Sequence, residues 1–212
     1  MPFTKSAVEQ FISSKAAAVT RCGALDMQAQ VPEHIHWLSN IGLSVVLNDF
    51  PPEQMRPFAI NFVRRISAAF VEYGLARQET LELTKDRWGR WSPYFRALNH
   101  FEAAIGQLYM AMDSVHKRAN HRFFETGDGS FEENLNLIYN AGKHQLAQTD
   151  LPVWFSDSGI HASKATLLFV EIEDYMLKMA NVVKGLHNRE FAIQALNDHA
   201  NTQQLIPGDT AR

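Results

Sequence analysis

Six apolar residues, Leu98, Phe101, Ile105, Leu108, Met112 and Val115, recur at spacings of three, four, three, four and three. That alternation is the heptad seam of a long helix, and a helix with such a seam needs a neighbour lying along it. Ser92 followed by Pro93 supplies a start signal, a capping hydroxyl with proline in the first turn. The chain is therefore predicted to be mainly all-α, an antiparallel helical bundle.

The flanking segments supply the neighbours. Phe58, Phe62, Ile66, Phe70 and Tyr73 make a stripe over about 57–83, with Arg64, Arg65 and Glu72 available for the other side. Val8, Phe11, Ile12, Ala16 and Val19 predict a first helix over 5–20. Pro32 opens a second, with Ile35, Leu38, Ile41 and Val45 as its inner face, which ends at Pro51-Pro52. Ser130 with Glu133 three residues later reads as a capping box opening a helix over 131–147 with Phe131, Leu135, Ile138 and Gly142 inward. A last long helix is predicted from near Ser163, carrying Leu168, Ile172, Tyr175, Met179, Val182 and Leu186, with Glu171, Asp174, Lys178 and Asn181 in solvent. Between these two, Val153-Trp154-Phe155 and Gly159-Ile160-His161 flank Ser156-Asp157-Ser158, which predicts a small β-hairpin near 153–161. Helices with one apolar face must bury those faces on each other, so 1–200 is expected to form a single domain. A shorter amphipathic piece is expected around 190–199, and 201–212 lacks an apolar pattern and is expected to be a mobile tail.

Composition narrows the function. Of 212 residues 46% are hydrophobic, enough for a packed core, and the net charge of −3 does not fit a nonspecific duplex binder, so any nucleic-acid site must be a local patch. The single cysteine, Cys22, excludes an internal disulfide and suits a reducing compartment; it reads as a small, partly buried residue. No basic leader with an apolar run and no membrane-length apolar stretch is found, which predicts a cytoplasmic protein that does not associate with a membrane.

Two constellations carry candidate chemistry. In Tyr139-Asn140-Ala141-Gly142-Lys143-His144, Asn140 and His144 lie one helical turn apart, with Glu133 along the same face, away from the Phe131, Leu135, Ile138 and Gly142 stripe. On the heptad helix, Glu102, Tyr109 and His116 are seven apart, with Asp113 one turn before His116. A carboxylate and an imidazole lining a groove are suited to acid–base work, although hydrogen bonding between helices accounts for the same residues. Asp113-x-x-His116 and Glu33-x-x-His36 are carboxylate–histidine pairs at a spacing used by di-iron bundles, but a matching pair of bridging glutamates is not evident and no metal ligand is assigned. Trp88, Arg90 and Trp91 combine stacking faces with cations, or pin a connector to the bundle. Phosphate-binding loops, serine elbows and paired Cys-x-x-Cys are absent, and no cofactor is assigned.

The hexapeptide 139–144 resembles the Arg-Asn-x-x-x-His motif of the HEPN helical superfamily, matching all but the arginine. The resemblance implies a helical bundle, a homodimer whose two motifs meet in a cleft, and metal-independent RNA cleavage in which the ribose 2′-hydroxyl attacks the neighbouring phosphate. It makes His144 the acid–base candidate and Asn140 its positioning partner, with Lys143, Tyr139, Arg118 and Arg122 as substrate-binding candidates beside Lys117 and His121. Tyr139 in the arginine position lacks a fixed charge and a guanidinium fork, which favours binding of RNA or a nucleotide over efficient turnover. Two other functions fit the same residues: a noncatalytic helical module for dimerisation or contact with a protein partner, and a metal-dependent bundle enzyme built round Glu102, Asp113 and His116.

Overall fold

The computed structural model describes residue 9 and residues 14–48, 50–85, 92–119, 124–143 and 152–186. Its helices are α1 (Ser14–Ala18), α2 (Met27–Gln30), α3 (Trp37–Asn48), α4 (Arg56–Lys85), α5 (Ser92–Ala119), α6 (Phe131–Lys143) and α7 (Phe169–Leu186), with 3-10 turns at Pro32–His36 and Glu53–Met55. Strands β1 (Val153–Phe155), β2 (Gly159–Ala162) and β3 (Ala165–Leu168) lie between α6 and α7. The fold is mainly all-α with one small sheet. None of the described helices is long and apolar enough to cross a membrane.

The spine is the α4–α5 pair. Arg65 donates to Gln107 at 2.9 Å, His100 meets Glu72 at 2.7 Å and Arg96 bridges Glu79 at 2.7 Å, so numbering rises on one helix as it falls on the other and the pair is antiparallel. The predicted seam is the buried one: Leu98, Phe101, Ile105, Leu108 and Met112 are at most 5% exposed, and Val115 packs at its end. A second row, Tyr94, Ala97, Ala104 and Ala111, is equally buried and lets neighbours approach closely. Phe62, Ile66, Phe70 and Tyr73 face it from α4, and one hydrophobic cluster runs from Ala16 to Val183.

The β-region exceeds the predicted hairpin. β1, β2 and β3 form an antiparallel meander in which Val153 pairs with Ala162, Phe155 with Ile160, and Ile160 with Leu167. These residues are buried and form the inner face, where Phe155 stacks on Tyr94 with ring centres 4.5 Å apart. Trp154, His161 and Thr166 pair across the outer face, and the Lys15 ammonium caps Trp154 at 3.6 Å. The third strand corrects the expectation that the last helix starts near Ser163: Leu168 is a strand residue, and the helix begins at Phe169. Its inner row is Phe169, Ile172, Met176, Ala180 and Val183, while Val182 is 45% exposed.

Two other expectations are corrected. The inner face of α3 and of the 3-10 turn leading into it is His34, Trp37, Ile41 and Ser44, whereas Ile35 and Leu38 are exposed. Large apolar residues stand on both the inner and the outer side, so apolar spacing alone selects neither. At the start of α6 the Ser130 hydroxyl accepts from the Glu133 N–H at 3.2 Å, one half of a capping box. The other half is absent, because the Glu133 carboxylate accepts from the Gly127 and Gly129 N–H groups and the Ser130 N–H donates to Asp128 at 2.8 Å. Glu133, on the same helical face as Asn140 but at the first turn, is therefore buried with its carboxylate taken up by the turn.

The segment before α2 is held by two acids far along the chain. Asp157, in the β1–β2 turn, accepts from the Thr20 N–H at 2.6 Å, the Arg21 N–H at 3.0 Å and the Thr20 hydroxyl. Glu173, 5% exposed on α7, accepts through one oxygen from the Leu25 N–H and the Tyr73 hydroxyl, each at 2.7 Å. Cys22 is half-buried beside them, and burial raises its thiol pKa.

Candidate functional site between α5 and α6

Leu135 and Ile138 anchor α6 in the core, and this sets the next face of α6 against the polar edge of α5. The two sequence constellations consequently become the walls of one groove. Tyr109 of α5 stacks on Tyr139 of α6, with ring centres 4.4 Å apart and planes 18° apart, and a cavity lies on either side of the pair.

The larger cavity, about 290 Å³, is lined by Tyr109, Met112, Asp113 and His116 of α5, Asn136 of α6, and Phe124 and Thr126 of the connecting turn. Asp113 is bridged by Lys117 at 2.7 Å. Burial and the charge of Asp113 raise the pKa of the Tyr109 phenol, so that hydroxyl remains a donor at neutral pH. Asn140 is tied to this end through its amide, which donates to Asn136 at 2.9 Å.

The smaller cavity, about 150 Å³, is lined by Glu102, Ile105, Ile138, Tyr139, Gly142 and Lys143. The Glu102 carboxyl lies where Gly142 leaves room: a methyl group on Gly142 would come within 3.0 Å of its oxygen. Burial raises the Glu102 pKa above its ordinary value. Lys143, exposed at the rim, sits 5.9 Å from the Tyr139 ring centre. The groove thus combines phenols, an imidazole, a partly buried carboxyl and an ammonium, a set suited to a hydrogen-bonding ligand with a flat ring.

The structure brings Glu102, Tyr109, Asp113 and His116 together with Tyr139, Asn140 and Lys143. It does not bring Arg118 to them: that side chain points to the Met55 sulfur, 3.2 Å away, and lines neither cavity. On a helix, two residues past His116 is about 200° round the axis, so Arg118 faces away from the groove. Arg122, His121, His144, Trp88, Arg90 and Trp91 lie outside the described residues, as do 190–199 and the tail. Glu33, half of the second carboxylate–histidine pair, is bridged by Lys184 at 2.8 Å. Among the described residues no three of His, Cys, Asp and Glu converge as a metal site.

Phe124, Thr126 and Asn136 are lining residues that sequence reasoning did not single out, and Met112, read there as a seam residue, also lines the larger cavity. Asn136 had a legible signal, since it lies one turn before Asn140 on the same face. A separate contact, Ser156 hydroxyl to His161 Nε2 at 2.8 Å with Thr166 on Nδ1 at 3.1 Å, has the order of a nucleophile–base pair. Its third member is a hydroxyl without charge, and these residues line neither groove cavity. They form a cross-strand ladder that closes the outer face of the sheet. No protein-family model matches this chain, and neither a curated protein nor a solved structure shows significant similarity to it.

Proposed function

We propose that the α5–α6 groove binds a nucleotide or a short single-stranded stretch of RNA. The observation that carries this reading is that Tyr139 and Lys143 with Glu102, and Tyr109, Asp113 and His116 with Asn136, line two adjoining cavities joined by the Tyr109–Tyr139 stack, with Asn140 bonded to Asn136. Aromatic rings hold bases by stacking without demanding a sequence. The amide, phenol and carboxyl groups offer partners for base edges, and Lys143 offers a cation to phosphate. Binding local to one groove also fits a chain whose net charge is −3. In this scheme His144, which follows Lys143 in sequence, is the acid–base candidate for cleavage at the ribose 2′-hydroxyl. With Tyr139 in place of an arginine, binding dominates turnover.

The test is fluorescence anisotropy with a labelled oligoribonucleotide, alongside calorimetry with mononucleotides. Tyr139→Ala and Lys143→Ala should each weaken binding at least tenfold, whereas Glu33→Ala, outside the groove, should not. Absence of binding to any of these ligands, or binding indifferent to Tyr139 and Lys143, refutes the reading. Metal-independent cleavage lost in His144→Ala would add catalysis to it.

A further inference from the structure

α3 has two packing faces, and the described residues cover one. Its inner row, His34, Trp37, Ile41 and Ser44, is at most 5% exposed, with Trp37 set edge-on to Phe70 of α4 at 5.2 Å. On the opposite side Ile35, Ser39, Gly42 and Val46 follow one another at spacings of four, three and four, the interval of a second helix-packing seam. Ile35 is 67% and Val46 79% exposed, and the flanking Leu38, Leu43 and Leu47 are 43%, 56% and 73% exposed. Gly42 stands clear of other atoms, with nothing within 4 Å of where its side chain would begin. From Trp37 to Asn48 there is no charged residue. Solvated helix faces carry charge; this one is built like an interior.

We infer that this outer face of α3 is a homodimer interface, occupied by the same face of a second copy of the chain. The absence of charge offers nothing to an acidic or basic partner, while an apolar seam is complementary to itself. A two-fold axis near Gly42 would set Leu38 of one copy towards Val46 of the other, and Ser39 and Gly42 would let the two helices approach closely. The five exposed apolar side chains amount to roughly 500 Å² per copy, or roughly 1,000 Å² for the pair, the lower limit for a specific interface. An interface at that limit fits a weak, reversible dimer, and a dissociation constant on the order of 10 µM is the working value for the test. The α5–α6 groove is built without this face, so either inference stands without the other.

Sedimentation velocity on the full chain from about 1 to 200 µM, a range that brackets that constant, reads the association. The wild type should move from monomer to dimer, and Val46→Lys and Leu43→Glu should each raise the dissociation constant at least tenfold with unchanged circular dichroism. Gly42→Cys in a Cys22→Ala background should cross-link to a dimer under mild oxidation, and Arg64→Cys, on the exposed side of α4, should not; this arm buries no charge. A wild type monomeric throughout, as when another part of the chain or a different protein covers α3, overturns the inference. So does a dimer that survives both charge substitutions, or one that fails to cross-link through position 42.

Discussion

Tyr73→Phe removes one hydroxyl and leaves the shape of the core unchanged, so its cost isolates a single hydrogen bond. The Tyr73 ring is fully buried between Phe101 and Phe169, and its hydroxyl donates to the Glu173 carboxylate at 2.7 Å. Burial, then the bond to Glu173 and its charge, push the phenol pKa above its ordinary range, so Tyr73 is the donor at every accessible pH. A hydrogen bond to a buried charged acceptor contributes about 1.5–3 kcal/mol. At roughly 2–4 °C per kcal/mol for a chain of this size, Tyr73→Phe should lower Tm by about 3–12 °C. Glu173→Gln should cost less, about 1 kcal/mol, because both bonds end on one oxygen that the amide retains. Glu173→Ala should cost most, at least about 3 kcal/mol, since it strands the Leu25 N–H and the Tyr73 hydroxyl and opens a void. Thermal and urea unfolding of the three variants, with the Tyr73→Phe/Glu173→Gln double mutant to measure coupling, test this order. A neutral Tyr73→Phe, or a Gln variant as damaged as the Ala variant, would refute the argument that the carboxylate is held through these two donors.

Three further outcomes are expected. Glu102→Gln should raise Tm at neutral pH. Burial holds the Glu102 pKa above its ordinary 4.5, so wild type loses stability as pH rises through the folded value, and melts near pH 4 should show the advantage gone. Asp157→Asn should cost about 1 kcal/mol at pH 7, modest because the cluster is partly exposed. Burial raises the Asp157 pKa, but the bonds from Thr20 and Arg21 outweigh it and leave it below 3.8. The carboxylate's contribution is thus present above 3.8 and lost as pH falls through the folded value, and an Asn variant matching wild type in melts at pH 7 contradicts it. Gly159→Ala should cost about 2 kcal/mol or more, because a methyl group there runs into the Leu167 carbonyl and the Leu168 backbone; unchanged urea unfolding would refute the β2–β3 contact.

The long helices were legible because each has a single apolar row and a polar back, as Leu98 to Met112 shows. α3 was legible as a helix but not in its orientation, because a segment with large apolar residues on both sides leaves Trp37 and Leu38 equal candidates for the core. β3 was hidden because Ala165-Thr166-Leu167-Leu168 runs straight into the apolar pattern of α7. What makes it a strand is pairing with β2, which local spacing does not encode. The groove was legible as two half-sites and not as one, since neither Tyr109 nor Tyr139 carries in its own neighbourhood the fact that the other stacks on it. The bonds of Glu133 were not legible because a capping box fixes where a helix starts but not which free N–H groups its glutamate takes.

The two acids that hold the segment before α2 bear on how the chain is made. Thr20 and Leu25 are completed by Asp157 and Glu173, 137 and 148 positions later. A ribosome has therefore delivered nearly the whole helical body before the early segment meets its acceptors, and its final seating belongs to the end of folding. Local helix contacts precede it and long-range closure follows. A nascent chain arrested near residue 140 should accordingly leave Thr20 and Arg21 open to proteases and chaperones, whereas the full chain should protect them.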